Sequence, residues 1–431
     1  MQTRLAEFIK DSEQGDEAEK ILRSCVHCGF CNATCPTYQV LGDELDGPRG
    51  RIYLIKQMLE GAPATEKTRL HLDRCLTCRS CETTCPSGVR YGKLLDIGRA
   101  LLEERVKRRF FDRLVRKALR LILPFTGRVR TLLGLARKMR PVLPAALKRK
   151  IPKDREIPDP WPKSGHARKM LCLNGCVQSA AAPQIDLAAA RILDSVGISL
   201  VRAEQGGCCG ALSYHLSQPQ EALGFVRRNI DAWWPWIESG IEAIVITASG
   251  CGVMVKDYGD LLKSDRAYAE KAQRVSMLAK DIAEILSQQD RSLFKVKHPG
   301  RIAFHSPCTL QHGQKITGLV EKILHDAGFQ LCTVEDPHLC CGSAGTYSIL
   351  QKTLSDRLLA EKIKALEKER PEFIATANIG CLLSMEAATE IPVKHWIELL
   401  VECKRPLSGK ALIWMLRPRI IGQAGNRNRT R

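Results

Sequence analysis

Two stretches, Cys25-Val-His-Cys28-Gly-Phe-Cys31-Asn-Ala-Thr-Cys35-Pro36 and Cys75-Leu-Thr-Cys78-Arg-Ser-Cys81-Glu-Thr-Thr-Cys85-Pro86, share the spacing C-x2-C-x2-C-x3-C-P. Three thiolates set two residues apart can wrap three irons of one cube, while the fourth cysteine, displaced past the turn, reaches a second cube. The proline that follows keeps the chain from folding back over the site. Zinc ribbons also use C-x2-C pairs. Zinc, however, takes four thiolates per ion, which leaves the third close cysteine and both prolines without a purpose. Two [4Fe-4S] clusters, and with them one-electron chemistry, are expected.

Thirty-nine residues separate Cys35 from Cys75, too many for a tight two-strand connection. Gly47-Pro48-Arg49-Gly50 reads as a turn, after which Ile52, Leu54, Ile55, Met58 and Leu59 recur at helical spacing up to Gly61. A second helical run follows Tyr91, with Leu94, Leu95, Ile97, Leu101 and Leu102 on one side. The pattern predicts a helical two-cluster domain over residues 1–105, not a compact β-type one.

Beyond residue 169 the sequence repeats itself. Cys176 and Cys308 lie 132 residues apart, Cys208-Cys209 and Cys340-Cys341 are also 132 apart, and Cys251 and Cys381 are 130 apart. Each pair of adjacent cysteines is followed by glycine, giving Cys-Cys-Gly twice. Short apolar runs precede the cysteines, such as Ala243-Ile-Val-Ile246 and Arg301-Ile-Ala-Phe304, and read as parallel strands entering turns and helices. Ligands of such sheets collect beyond the carboxyl ends of the strands. A thiol-lined pocket in each repeat, or one shared at their interface, is therefore expected. Cys172, Cys332 and Cys403 fall outside the scheme and read as buried thiols. The expected fold class is α+β multidomain: the N-terminal helical domain, then two repeated α/β cysteine-rich domains over 169–290 and 300–404.

The formal charge of +19 raises nucleic-acid binding, but its distribution argues against it. Between Arg105 and Lys150 lie sixteen Lys or Arg and one acidic residue, Asp112, and the tail after Pro406 holds six basic residues and no acid. Residues 106–168 read as a basic, proline-studded linker and 405–431 as a disordered tail, with no nucleic-acid partner expected. Within the linker, Phe111, Leu114, Val115, Ala118 and Ile122 share a helical face. That suits either a helix on an anionic bilayer or one packed on its own protein with a solvated basic face. No run of eighteen apolar residues could span a membrane. The acidic N-terminus has no apolar leader core, so the nineteen cysteines are expected reduced, in a cytoplasmic protein with peripheral membrane contact through residues 105–150 on the cytoplasmic face of the inner membrane.

Beyond the ferredoxin-type cysteine runs, Cys-Pro-Thr-Tyr-Gln at 35–39, Gly-Asp-Glu-Leu-Asp-Gly-Pro-Arg-Gly-Arg-Ile-Tyr at 42–53 and Asn-Ile-Asp-Ala-Trp-Trp-Pro at 229–235 resemble the iron-sulfur subunits of flavin-linked 2-hydroxyacid oxidases, the glycolate-oxidising ones most closely. The tandem Cys-Cys-Gly domains are similar to those of heterodisulfide reductase and anaerobic glycerol-3-phosphate dehydrogenase subunits. The resemblance implies that Cys25, Cys28 and Cys31 hold one cube together with Cys85, and Cys75, Cys78 and Cys81 the other together with Cys35. Arg49, Arg51 and Arg79 would favour the more negative state by charge, and His27 could donate to a sulfide.

In the family the Cys-Cys-Gly repeat ends in C-x2-C, with five cysteines for an unusual cluster. Here Met254 and Ser384 stand at the last position, so Cys176, Cys208, Cys209 and Cys251, and likewise Cys308, Cys340, Cys341 and Cys381, offer four thiols each. Four can bind a third metal centre, as a cluster or zinc, or nothing. His215, His305 and His312 are candidate helpers or proton donors. No flavin, nicotinamide or phosphate motif occurs, so FAD and the substrate step are expected on a flavoprotein partner. The function implied is electron transfer from glycolate oxidation towards a quinone, by a subunit without its own catalytic residues. Alternatives are a lactate or glycerol-3-phosphate dehydrogenase subunit and a thiol/disulfide enzyme like heterodisulfide reductase.

Overall fold

A computed structural model describes residues 1–144, 148–149, 151–152, 155, 160–297 and 299–402. Cys403 and the tail 405–431 lie outside the described residues, as do parts of the segment read as a linker.

The first hundred residues are helical. Helices α1 (Glu13–Ser24), α2 (Phe30–Ala33), α3 (Pro36–Leu41), α4 (Pro48–Leu59), α5 (Glu66–Asp73), α6 (Ser80–Thr84) and α7 (Tyr91–Arg105) surround a core that includes Leu22, Ile55, Leu59, Leu72, Leu94 and Leu102. Ser12 caps α1 by accepting from Gly15 N at 3.0 Å, and α3 and α4 each start on proline, whose missing N–H costs nothing at a first helical turn. Helices α4 and α7 cross at Gly98, where an added Cβ would meet Ile55 Cγ1 at 2.7 Å. The domain's polar centre is Asp46, fully buried, which takes Arg74 Nη1 at 2.7 Å, His71 Nδ1 at 3.1 Å and Arg51 Nη2 at 3.5 Å.

The basic segment then forms α8 (Phe110–Ile122) and α9 (Thr126–Met139). In α8 the packed face is basic. Arg108, just before the helix, donates to Asp73 at 2.6 Å and Glu103 at 2.7 Å, Arg116 to Asp73 at 3.3 Å, and Arg120 pairs with Glu221. Phe110, Phe111, Leu114, Val115 and Leu121 are exposed instead. A helix packed with its basic face wholly solvated is not what forms, because three arginines find carboxylates on the protein's own surface.

The two repeats are parallel α/β units with the same strand order. β1 (Arg168–Cys172), β2 (Ile198–Arg202), β3 (Ile244–Ile246) and β4 (Ala279–Asp281) run β2-β1-β3-β4, and β5 (Arg301–His305), β6 (Gln330–Leu331), β7 (Phe373–Thr376) and β8 (Val393–His395) run β6-β5-β7-β8. β3 is buried along its whole length, as helix-covered parallel strands are. The units meet just beyond β3 and β7: Ser249 N donates to Ala377 O at 3.1 Å and Gly250 N to Asn378 Oδ1 at 3.2 Å. Both units touch the helical domain, the first through Lys93 and Asp260 at 2.9 Å and the second through Tyr347 Oη, which donates to Arg74 O at 3.0 Å.

Candidate iron-sulfur centres

The two motif loops adopt one backbone shape. His27 and Gly29 have φ of 58° and 84°, and Thr77 and Arg79 have 53° and 60°. Left-handed residues on either side of the second cysteine curl each loop so that three sulfurs face inward, and a short helix carries the third. Threonines at the ends of these helices join the motifs, with Thr34 and Thr84 hydroxyls 2.9 Å apart.

Two adjoining cavities result. One is lined by Cys25, Cys28, Cys31 and Cys85, the other by Cys35, Cys75 and Cys78, and Cys81 and Tyr91 form part of both walls. Burial, then the charges of Cys25, Cys85 and Cys28, push the Cys31 thiol up to about 11. Burial also pushes up Cys81, with Cys78, Cys75 and Cys35 around it, and Cys78, with Cys308, Cys75 and Cys35 around it. Buried thiols that repel one another in this way cannot ionise together without cations among them, and the irons of a cube supply that charge. The donor sets fit two cubes.

The basic residues differ in what they do here. Arg49 lines the first cavity but is bonded to Glu44 at 2.6 Å, which offsets its charge. Arg51 is fully buried on the second, its Nε donating to His71 O at 2.7 Å and its Nη1 and Nη2 to Thr37 Oγ1 at 3.1 Å. Arg79 turns to Asp257. His27 is exposed at the rim of the first cavity, beside Tyr53. Motif spacing missed Tyr91, whose hydroxyl donates to Cys75 Sγ at 3.6 Å, and Thr37, whose hydroxyl lies 3.3 Å from Cys35 Sγ. Each follows its motif closely, but only the fold shows which side chains turn inward.

In the repeats the cysteines lie beyond the carboxyl ends of the strands. Cys176 and Cys251 sit in the first turn of the helices after β1 and β3, and Cys381 in the corresponding helix after β7. Cys176, Cys208, Cys209 and Cys251 form a chain of thiol contacts. So do Cys308, Cys340, Cys341 and Cys381, with Cys308 and Cys340 sulfurs 3.9 Å apart. Each repeat thus gathers its own four thiols. Cys172 is buried at the end of β1, and Cys332 is buried after β6. Among the named histidines, His312 bonds Thr83 Oγ1 and His338 O, both at 3.1 Å, and so serves structure. His215 is exposed at the end of a short helix. His305 lies with Cys341 and Cys381.

A 4Fe-4S dicluster domain matches residues 21–89, and a cysteine-rich domain matches 170–256 and again 302–386. A crystal structure of a hypothetical protein from Helicobacter pylori shares the fold at a TM-score of 0.54 and 10% identity, over 95% of this chain and 76% of that one. The probable glycolate oxidase iron-sulfur subunit of Bacillus subtilis is 30% identical over 90% of this chain and 95% of its own length. The glycolate oxidase iron-sulfur subunit of Escherichia coli is 52% identical over 93% of this chain and 98% of its own. With two [4Fe-4S] motifs, tandem cysteine-rich domains and end-to-end similarity of this order, the chain belongs to the family of glycolate oxidase iron-sulfur subunits.

Proposed function

We propose that this chain takes electrons from a flavoprotein subunit that oxidises glycolate to glyoxylate and passes them towards a quinone. Cys25, Cys28, Cys31 and Cys85 hold one cube and Cys75, Cys78, Cys81 and Cys35 the other. The observation that carries the reading is the grouping of these thiols in two cavities with a common wall. Oxidising the alcohol carbon of glycolate releases two electrons and two protons. A [4Fe-4S] cube accepts one electron at a time, so a pair of cubes holds the yield of one turnover. The chain's own groups set where that charge rests. Arg51, held immobile against Thr37 and His71, places a buried cation beside Cys35 and Cys75, and the Tyr91 hydroxyl donates to the Cys75 sulfur.

The surroundings of the two cavities support a direction for the path. Around the first cavity Val26, Phe30 and Tyr53 are exposed, and so is Cys28. An apolar rim beside an accessible ligand suits a partner that brings electrons in. The second cavity is covered by the second repeat, where Leu76 and Cys78 pack with Cys340 and Tyr347.

The outward apolar face of α8 supports peripheral contact with a bilayer, where a quinone resides. Phe110 and Phe111 are 65% and 77% exposed, and Arg109, Arg113 and Lys117 lie exposed around them for anionic headgroups. Among the described residues no helix is long and apolar enough to cross a membrane.

The test is anaerobic mixing of the purified chain with its co-purifying flavoprotein and glycolate. Cluster absorbance is expected to bleach only when both are present. Bleaching by lactate or glycerol 3-phosphate with none by glycolate would overturn the substrate.

A further inference from the structure

The two repeats keep the same thiols but differ in what surrounds them. His305 ends β5, and 132 positions earlier stands Leu173, a buried leucine. The His305 side chain is 2% exposed. Its Nδ1 lies 3.0 Å from Thr376 Oγ1, whereas its Nε2 is buried with no hydrogen-bond partner. An orphaned nitrogen of this kind costs about 1–3 kcal/mol unless something else binds it. What surrounds it is sulfur: a ring nitrogen of His305 and the sulfurs of Cys341 and Cys381 lie within 4.8 Å of one another.

A second difference concerns charge. Lys362, 4% exposed, faces Cys341, Cys340 and Cys308 while its Nζ donates to Asp336 O at 2.7 Å. The residue 132 positions earlier is Ile230, fully buried. Burying an ammonium is costly unless an anion stands near it, and a thiolate-bound centre is one. A third observation is position: Cys308 packs on the same cluster as Cys78, a lining residue of the second cavity, and exerts the largest charge effect on it.

We propose that the second repeat holds an iron-sulfur centre on Cys308, Cys340, Cys341 and Cys381, that His305 Nε2 is its fifth ligand, and that this centre receives electrons from the cube beside Cys78. In this assignment the 3.0 Å contact between Nδ1 and Thr376 Oγ1 is a bond from Nδ1–H, which fixes the ring with Nε2 free for iron, the arrangement a ligating histidine ordinarily needs. Imidazole supplied where sibling centres use thiolate raises a cluster's potential, which favours one-electron flow out of the cubes and onto this centre. Only the direction of flow rests on the function proposed above; the ligand set does not.

The test uses the full chain purified anaerobically, with iron, zinc and acid-labile sulfide counted and the centres titrated by electron paramagnetic resonance. The native chain is expected to hold more than the roughly eight irons of two cubes. His305→Leu, which copies the first repeat, should lose the additional iron or change that centre's signal while both cube signals persist as a check on folding. His305→Cys should keep the iron and lower the midpoint potential of that centre alone. Zinc in the second repeat, or no iron beyond the cubes, would overturn the centre. Excess iron whose signal and potential are unmoved in both variants would overturn the histidine ligand. A failure of glycolate to reduce the cubes would touch neither count, so the two readings fail separately.

Discussion

Arg79 Nη2 donates to Asp257 Oδ2 at 2.8 Å, joining the second motif loop to a residue 178 positions away in the first repeat. Arg79 holds φ at 60°, where the first motif has Gly29. The ion pair and the backbone therefore pull in opposite directions. Arg79→Gly should relieve about 1 kcal/mol of backbone strain and lose a partly exposed pair worth about as much at most, leaving stability near its starting value. Arg79→Ala keeps the strain and loses the pair, and should destabilise by about 1 kcal/mol. Urea midpoints of both variants check this; alanine equal to or better than glycine would refute the balance.

Ligand crossing between the motifs makes a specific statement about iron. Cys85 lies ten residues beyond Cys75 yet lines the cavity of Cys25, Cys28 and Cys31. Cys85→Ser should thus lose roughly one cube, about four irons, and the signal that remains should be that of the centre on Cys75. Cys209→Ser, in the repeat that has Leu173 and Ile230 beside its thiols, should lose none. Iron analysis and cluster spectra decide both.

Flotation with lipid vesicles tests the outward face of α8. Phe111→Asp with Leu114→Asp should abolish binding to vesicles rich in anionic lipid and leave cluster content unchanged, since both side chains point away from the protein. Binding should also weaken as salt rises, because the headgroup contacts are screened. Undiminished flotation of the double variant would exclude α8 as the contact.

Asp281 is buried at the end of β4, where it caps the following helix by accepting from Ala283 N at 3.0 Å. Burial, helped by the charge of Glu284, pushes its carboxyl up from 3.8 to about 7. Between those values the folded protein binds a proton that the unfolded chain has released, so stability falls as pH rises through the window and stays lowered above it. Asp281→Asn keeps a capping side chain without the charge. It should gain on the order of 2 kcal/mol above pH 7 and nothing at the acid end, read as the difference in urea midpoint. An equal shift at both ends would show that the charge is not the cause.

The eight motif cysteines were legible because cluster ligation leaves little freedom of spacing, and the repeat was legible because Cys-Cys-Gly recurs at one interval. Which face of α8 packs was not, since it depends on Asp73 and Glu221, one before the helix and the other about a hundred residues beyond Arg120. Arg51 reads in sequence as a charge near the clusters, with nothing in its spacing to show that it is buried. It is buried because Thr37, Asp46 and the His71 carbonyl converge on it from three other elements. His305 stands three positions before Cys308 and is a candidate helper on sequence, but only the parallel sheet places Cys341 and Cys381 beside it.

The bond between Thr34 and Thr84 has a consequence for how the protein matures. The chain between the motifs is a long loop, and closing such a loop costs entropy that a metal would otherwise have to offset. Here helix packing and one hydroxyl pair contribute to closing it. The more of that closure the helices and the threonine pair supply, the less falls to the clusters, so the helical scaffold should outlast chelation of its iron, unlike small zinc domains that unfold without their metal.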